Sequence, residues 1–335
     1  MRELQVSMMG TFAIRDATRG PPSAMLGKAQ DLLALILLAP QRSVRREHAA
    51  ESLWPDAGAN ASKKAMRQAL WRIHHATDSA VPESGRLIVT EGEALRVNPE
   101  RRLWVDVSVL TAAVRVAQTA GPDLADGELA HLGRAADLYR GPLLAGCYGE
   151  WCLAPRARIE DGCITLLDTL TRAYERRGSL DASIGWAQRL LDIEPAHELS
   201  HRRLMRLHYR NGDRTRALRQ FDQCRAVLRQ ELGVLPSAHT MALGEAIMAD
   251  RIGDALSPDP VGRDWHGMAV LDAGPEVVVL AVPRAAAHMM VSMTRAVREV
   301  TRPAVGSGVA TPLAASGGGE APASTDGSPT GRPTP

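Results

Sequence analysis

A mainly α chain, with a small α+β domain at its N-terminus and an all-α domain after it, is what three features of the sequence predict. Strand-like alternation opens the chain, where Leu4, Val6 and Met8 share one face and Phe12 and Ile14 resume after Gly10. Three helical patterns and two short β-type runs follow by residue 97. From about Asp126 to Arg251 the apolar period is helical throughout, with a weak internal repeat.

The first helix is expected from about Lys28 to Ala39, carrying Leu32, Leu33, Leu35, Ile36 and Leu37 and stopping before Pro40, because the residue before a proline is pushed out of the α region. The second runs from about Arg45 to Trp54 and stops at Pro55, and the third from about Ala61 to Thr77. Leu87-Ile88-Val89 and Leu95-Arg96-Val97 flank Glu91-Gly92 and read as a hairpin. Arg19-Gly20-Pro21-Pro22 reads as a turn. Strands, three helices and a closing hairpin, in that order, are the layout of a winged helix-turn-helix.

In the helical half, Gly178-Ser179-Leu180-Asp181-Ala182-Ser183-Ile184 stands 34 residues before Gly212-Asp213-Arg214-Thr215-Arg216-Ala217-Leu218. A helix ending at Gly, a turn and a new helix, at that spacing, is the tetratricopeptide (TPR) period. Two copies alone bury no continuous core, so helices near 128–138 and 239–251 are expected to cap the stack. The expected organisation is a winged helix-turn-helix domain at 1–105, a TPR-like all-helical domain at 106–251, an extension at 252–302 and a disordered tail at 303–335. In the extension Val277 to Val282 reads as a buried strand and Arg284 to Val300 as a helix, neither with an obvious partner; the tail is Gly, Pro, Ser, Ala and Thr with almost no large apolar residue.

Composition excludes more than it assigns. The 335 residues are 45% hydrophobic and 23% charged, an ordinary globular balance, and the net charge of +2 does not favour a polyanionic partner. Residues 1–110 hold 15 Lys and Arg against 12 Asp and Glu, so any case for nucleic acid rests on local clustering. Cys147, Cys152, Cys163 and Cys224 form no CxxC pair and are expected to be reduced thiols in helical packing. MRELQVSMMG lacks the apolar run of a secretion signal and no stretch is long and apolar enough for a membrane span, so a cytoplasmic protein without a membrane partner is expected.

The clustering lies on the third helix. Wound at about 100° per residue, Met66, Ala69, Leu70, Ile73 and Thr77 fall on one side and must face the core. Lys64, Gln68, Trp71 and His75 fall opposite, flanked by Arg67 and Arg72, with Lys63 near the first turn. No acidic residue occurs between Asn60 and Thr77, whereas a merely solvated face usually mixes Glu with Lys. Arg and Lys can pair with guanine O6 and N7, Gln with adenine, and flanking bases can hold phosphates, so the face suits a major groove of double-stranded DNA. Trp71 is the odd member; packing on the wing or on thymine methyl groups would each account for it.

One motif points elsewhere. His197-Glu198-Leu199-Ser200-His201 is a literal HExxH on a predicted helix, the i, i+4 geometry that holds zinc with Glu as base. The longer zincin pattern needs Gly and His where this chain has Leu204 and Leu207, and Pro195 with the repeat period suits the first turn of a repeat helix instead. No catalytic residue, metal site or cofactor is therefore expected. The competing non-enzymatic reading is a TPR-type protein-interaction scaffold that does not itself bind DNA.

The ordered set of motifs resembles one family. Leu26-Gly27-Lys28-Ala29-Gln30, Trp54-Pro55-Asp56 and Met66-Arg67-Gln68-Ala69-Leu70-Trp71-Arg72-Ile73 resemble the DNA-binding half of the AfsR/SARP family of actinobacterial antibiotic regulatory proteins. Trp104-Val105-Asp106-Val107, Tyr139-Arg140-Gly141-Pro142-Leu143-Leu144, Ala217-Leu218-Arg219-Gln220-Phe221 and Leu232-Gly233-Val234-Leu235-Pro236-Ser237 resemble its bacterial transcriptional activator domain. The similarity spans about residues 1–250. It implies an OmpR-like winged helix on promoter direct repeats, homodimers on DNA, and an activator domain that recruits RNA polymerase at genes of the secondary-metabolism type.

Carried over, the recognition positions are Lys64, Arg67, Gln68, Trp71, Arg72 and His75, with Arg86 and Arg96 beside the hairpin as candidate phosphate contacts. Arg45 stands where the family usually places a Ser cap, which weakens the start of the second helix. Trp71 and His74-His75 replace commonly small or basic residues, which bears on the target sequence. No Gly-x4-Gly-Lys-Ser/Thr loop follows, so a small stand-alone member is expected.

Overall fold

The computed structural model describes residues 3–16, 27–78, 85–121, 123–251, 268–272 and 277–281. Two strands open the chain, β1 (Leu4–Ser7) and β2 (Ala13–Asp16), paired antiparallel with Val6 opposite Ile14. The alternation read from sequence is realised: Leu4, Val6, Met8 and Ile14 are buried, while Gln5 and Ser7 are half-buried. The helices are α1 (Lys28–Leu38), α2 (Arg46–Leu53) and α3 (Ala59–Thr77). The hairpin is β4 (Ile88–Glu91) with β5 (Ala94–Val97), Ile88 opposite Val97.

Two strands of this N-terminal part have no counterpart in the sequence reading. β3 (Ser43–Arg45) precedes α2 and pairs antiparallel with β5, giving the sheet order β3-β5-β4. β6 (Leu103–Val105) pairs parallel with β1, giving the order β2-β1-β6. Each is three residues long, too short for a period to show, and each is fixed by a partner far away in sequence. The result is a winged helix-turn-helix whose last strand returns to its first.

From β6 the chain passes without a linker into α4 (Asp106–Thr119), and α5 (Asp126–Ala136), α6 (Leu153–Arg176), α7 (Leu180–Ile193), α8 (Glu198–Arg210), α9 (Arg214–Val227) and α10 (Ala238–Met248) follow. Helix α6 packs on α7 and α8 on α9, and the turns between them carry Gly178 and Gly212, both with positive φ. That backbone conformation is open to glycine and strained for other residues, which is why the 34-residue repeat is marked by Gly. Helix α5 packs on α4 and α6, and α10 packs on α8 and α9. A Cβ on Gly244 would lie 2.7 Å from Phe221 Cζ, so glycine there is what lets α10 sit down on α9.

The winged helix and the first helices after it share one continuous core, running from Leu4 through Ile36, Ile73, Leu95 and Leu110 to Leu170 and Leu190. Met205, Ala217, Phe221, Leu243 and Ile247 form a second, smaller core among α8, α9 and α10. The seam of the shared core is built from backbone. Leu144 N–H donates to Met8 O (2.8 Å), Gly10 N–H to Pro142 O (3.0 Å) and Ala145 N–H to Gly10 O (3.0 Å). The loop that supplies these groups is pinned by Arg156 of α6, whose guanidinium donates to the carbonyls of Leu143, Leu144 and Cys147 at 2.8–3.0 Å.

At the junction itself sits Asp106, 3% exposed. Its carboxylate accepts the N–H groups of Met8 (2.7 Å), Met9 (3.0 Å) and Val107 (2.7 Å). Burial raises its pKa, against the pull of those N–H groups and of Arg140.

Beyond α10, β7 (Met268–Asp272) and β8 (Val277–Ala281) pair antiparallel, so the strand expected near Val277 gains the partner that the sequence did not reveal. The turn at 19–22, the helix expected at 284–300 and the tail at 303–335 lie outside the described residues. All four cysteines are free and buried. No helix among the described residues is long and apolar enough to cross a membrane.

Candidate nucleic-acid interface

Helix α3 divides as its sequence period requires. Met66, Ala69, Ile73 and Thr77 are buried and Leu70 is partly buried, and this stripe packs on α1. Lys63, Lys64, Arg67, Gln68, Trp71, Arg72 and His75 are all exposed. The helix starts at Gly58 without a side-chain cap, and no acidic residue lies in its first turn. Trp71 is 65% exposed and stacks on His75 of its own helix, ring centroids 5.3 Å apart and planes 7° from parallel.

The far end of α3 is held by groups that sequence reasoning did not single out. Asp78 closes the helix, and its Oδ1 accepts the N–H of Leu87 at the foot of the wing (3.0 Å) and the Thr77 hydroxyl (3.0 Å). Arg101, beyond the wing, lies 3.7 Å from the same oxygen and donates to the carbonyls of Thr77 (3.1 Å) and Gly85 (3.3 Å). A guanidinium on the last carbonyls of a helix satisfies orphan acceptors and opposes the negative end of the helix dipole. The pair is 23 residues apart in sequence and obeys no period, so only the fold brings it together.

His74, one turn before Asp78, has its pKa lowered by burial, with Arg86 acting in the same direction and Asp78 opposing. Replacing Arg101 with Ala is expected to cost about 1.5–3 kcal/mol, the usual range for hydrogen bonds to a charged group. A melting temperature unchanged from wild type would show that this cluster does not hold the wing to α3.

The wing differs from a plain basic hairpin. Arg86 is exposed at its foot, as a phosphate contact requires. Arg96 instead forms an ion pair with Glu91, Nη1 to Oε2 at 3.1 Å, so its charge is already partnered across the hairpin. The turn carries exposed Glu91 and Glu93, and the Glu93 carbonyl accepts the first N–H of α2, from Arg46 (2.8 Å). Arg46 also donates to Thr90 (3.1 Å). Helix α2 has no side-chain cap at Arg45, as its sequence suggested, and the wing backbone supplies part of what the cap would have given.

The HExxH segment does other work. His197 precedes α8, and its Nδ1 lies 2.8 Å from Ser200 Oγ. His201 is fully buried; its Nε2–H donates to Pro195 O (2.8 Å), which leaves Nδ1 to accept from Gln220 (2.6 Å). Burial holds its pKa below the usual histidine value. Glu198 accepts the N–H (2.8 Å) and hydroxyl (2.6 Å) of Ser237 together with the Thr240 hydroxyl, fastening α8 to the start of α10. Among the described residues, no cluster of three or more His, Cys, Asp or Glu is placed to hold a metal.

Comparison with known proteins adds independent support. Residues 105–248 match the bacterial transcriptional activator domain. The chain is 28% identical over 223 residues to the regulatory protein AfsR of Streptomyces coelicolor, covering 65% of this chain but 21% of AfsR, so it spans about a fifth of that relative. It is 24% identical over 249 residues to the transcriptional regulatory protein MoaR1 of Mycobacterium bovis, covering 74% of this chain and 79% of MoaR1. With the transcriptional regulator RedD of Streptomyces coelicolor it shares 26% over 270 residues, 77% of this chain and 72% of RedD. Its fold matches that of Mycobacterium tuberculosis EmbR, solved with a low-affinity phosphopeptide, at a TM-score of 0.58 and 20% identity, covering 76% of this chain and 68% of that one. At that identity the likeness speaks for fold alone. With the winged helix-turn-helix and the helical repeat, these matches make the chain similar to transcriptional regulators of the AfsR/SARP type and give it a bacterial transcriptional activator domain over residues 105–248.

Proposed function

We propose that this chain is a sequence-specific DNA-binding activator that lays α3 in the major groove of promoter DNA. The observation that carries the reading is the exposed, acid-free face of α3, set on a buried stripe and braced at its end by Asp78 and Arg101. Arg67 and Gln68 are assigned to base edges, and Lys63, Lys64 and Arg72 to phosphates, with Trp71 and His75 between them. Arg86 is the phosphate contact of the wing; Arg96 joins it only by exchanging Glu91 for a phosphate.

In this reading residues 1–105 bind DNA and 106–251 form the activator domain that recruits RNA polymerase. Two protomers occupy direct repeats as a homodimer, in the cytoplasm, at genes of the secondary-metabolism type, and no cofactor takes part.

Titration of the full chain against promoter duplexes at increasing salt tests it. Arg67→Ala or Gln68→Ala is expected to weaken binding by about 1–3 kcal/mol and to relax preference at the base each contacts. Log affinity should fall linearly with log salt, by about 0.9 for each phosphate neutralised. Salt-independent or undetectable binding would favour a protein-interaction scaffold instead. Unchanged binding in both variants would move the reading face away from α3.

A further inference from the structure

Trp71 is out of place on a surface made for water or phosphate. It is 65% exposed at the middle of the face, with Lys64, Arg67, Gln68 and Arg72 around it. An indole left in water forgoes the burial that makes it useful. It is nonetheless not a loose ring: the stack on His75, centroids at 5.3 Å and planes at 7°, fixes its plane one helical turn from its neighbour. The indole, stacked on the His75 imidazole and largely open, is a flat apolar plate standing out from a basic, acid-free helix.

The chemistry of the surroundings selects what can cover that plate. Three cations and no carboxylate on the same face favour a polyanion over an ordinary protein surface. In the major groove of DNA the one methyl group on a base edge is the thymine C5-methyl; cytosine offers only a small C5–H there, and the remaining features are hydrogen-bond donors or acceptors. The stack also lowers the entropy lost on docking, because the ring is already oriented.

We infer that Trp71, held by His75, is a specificity-determining residue that selects thymine by packing the indole against its methyl group. The inference rests on the proposal that α3 reads DNA, and deepens it by naming one base. Arg67 and Gln68 then read hydrogen-bonding edges while Trp71 reads a methyl group, so the operator carries a fixed T at the step facing the middle of α3.

Deoxyuridine provides the probe, since it differs from thymidine at that position only by the methyl. The full chain first selects binding sites from a pool of random duplexes. Each thymidine of the enriched site is then replaced singly by deoxyuridine, and affinity is measured by fluorescence anisotropy. Wild type is expected to bind about fourfold more weakly at one or two positions, the effect of one methyl-sized group removed from an apolar contact. Trp71→Ala should show no difference between T and U at those positions, and Trp71→Phe should keep part of it. Circular dichroism melts confirm that both variants fold.

Equal affinity of wild type for T and U at every position overturns the inference, as does discrimination that survives in Trp71→Ala. In either case an enriched site that still depends on Arg67 and Gln68 leaves the DNA-binding reading intact. Selection that enriches no sequence overturns both.

Discussion

Asp106→Ala is expected to destabilise the folded chain by about 2–5 kcal/mol, a large part of the total stability of an ordinary domain. The alanine would leave the N–H groups of Met8 and Met9 without their acceptor, in a place that is 3% exposed and closed to water. It also removes the acceptor for Val107 N–H at the first turn of α4. Because the same carboxylate joins β1's continuation to α4, the loss should loosen the winged helix from the helical domain as well as lower the melting temperature. Amide hydrogen exchange at Met8, Met9 and Val107 would locate it.

Asp106→Asn keeps one acceptor oxygen and should be milder. The pH dependence has a definite sign. Burial raises the folded-state pKa of Asp106, so the pH-linked part of its contribution is fully present below the unfolded value near 3.8 and is lost as pH rises through the raised folded value, while the N–H bonds that Ala would remove are made on both sides of that transition. Asp106→Asn should remove that part of the profile. A variant as stable as wild type would show that the seam is held by the backbone pairing of Met8 to Gly10 with residues 142–145 alone.

The double reversal Lys64→Glu with Arg67→Glu is expected to reduce DNA affinity by about a hundredfold or more at physiological salt, since two favourable contacts become two repulsions against the phosphate field. Both side chains are exposed, so the fold should be untouched and the melting temperature unchanged. Arg96→Glu offers the contrast. Arg96 is already paired with Glu91, so reversing it should cost far less affinity than reversing either α3 residue. Comparable losses in the two cases would put the wing, rather than α3, at the centre of the interface.

Much of this was legible in the chain because it is periodic. The helical stripe Met66, Ala69, Ile73, Thr77 and the alternation Leu4, Val6, Met8 are local signals, and the glycines at 178 and 212 mark turns that few other residues can make. The exposed face of α3 follows from the same period, which is why its residues were recognisable. What holds that face in place was not. Asp78 meets Leu87 and Arg101, Asp106 meets Met8, and β6 meets β1 only after the chain has folded back on itself. Such contacts use ordinary residues with no spacing rule. The HExxH segment is the opposite case: a strong local pattern whose side chains are committed by the fold to Ser200, Pro195, Gln220 and Ser237. The partnering of Arg96 by Glu91 likewise arises only in the folded hairpin, where register, not composition, decides which charges meet.

The central claim, that the α3 face reads DNA sequence, is tested most directly by mapping the genomic fragments bound by the full chain beside those bound by the Lys64→Glu/Arg67→Glu variant. The expected result is a small set of discrete sites upstream of genes, sharing a repeated motif, occupied by wild type and vacated by the variant. Uniform coverage of the genome by wild type, or the same discrete sites in both maps, would contradict it.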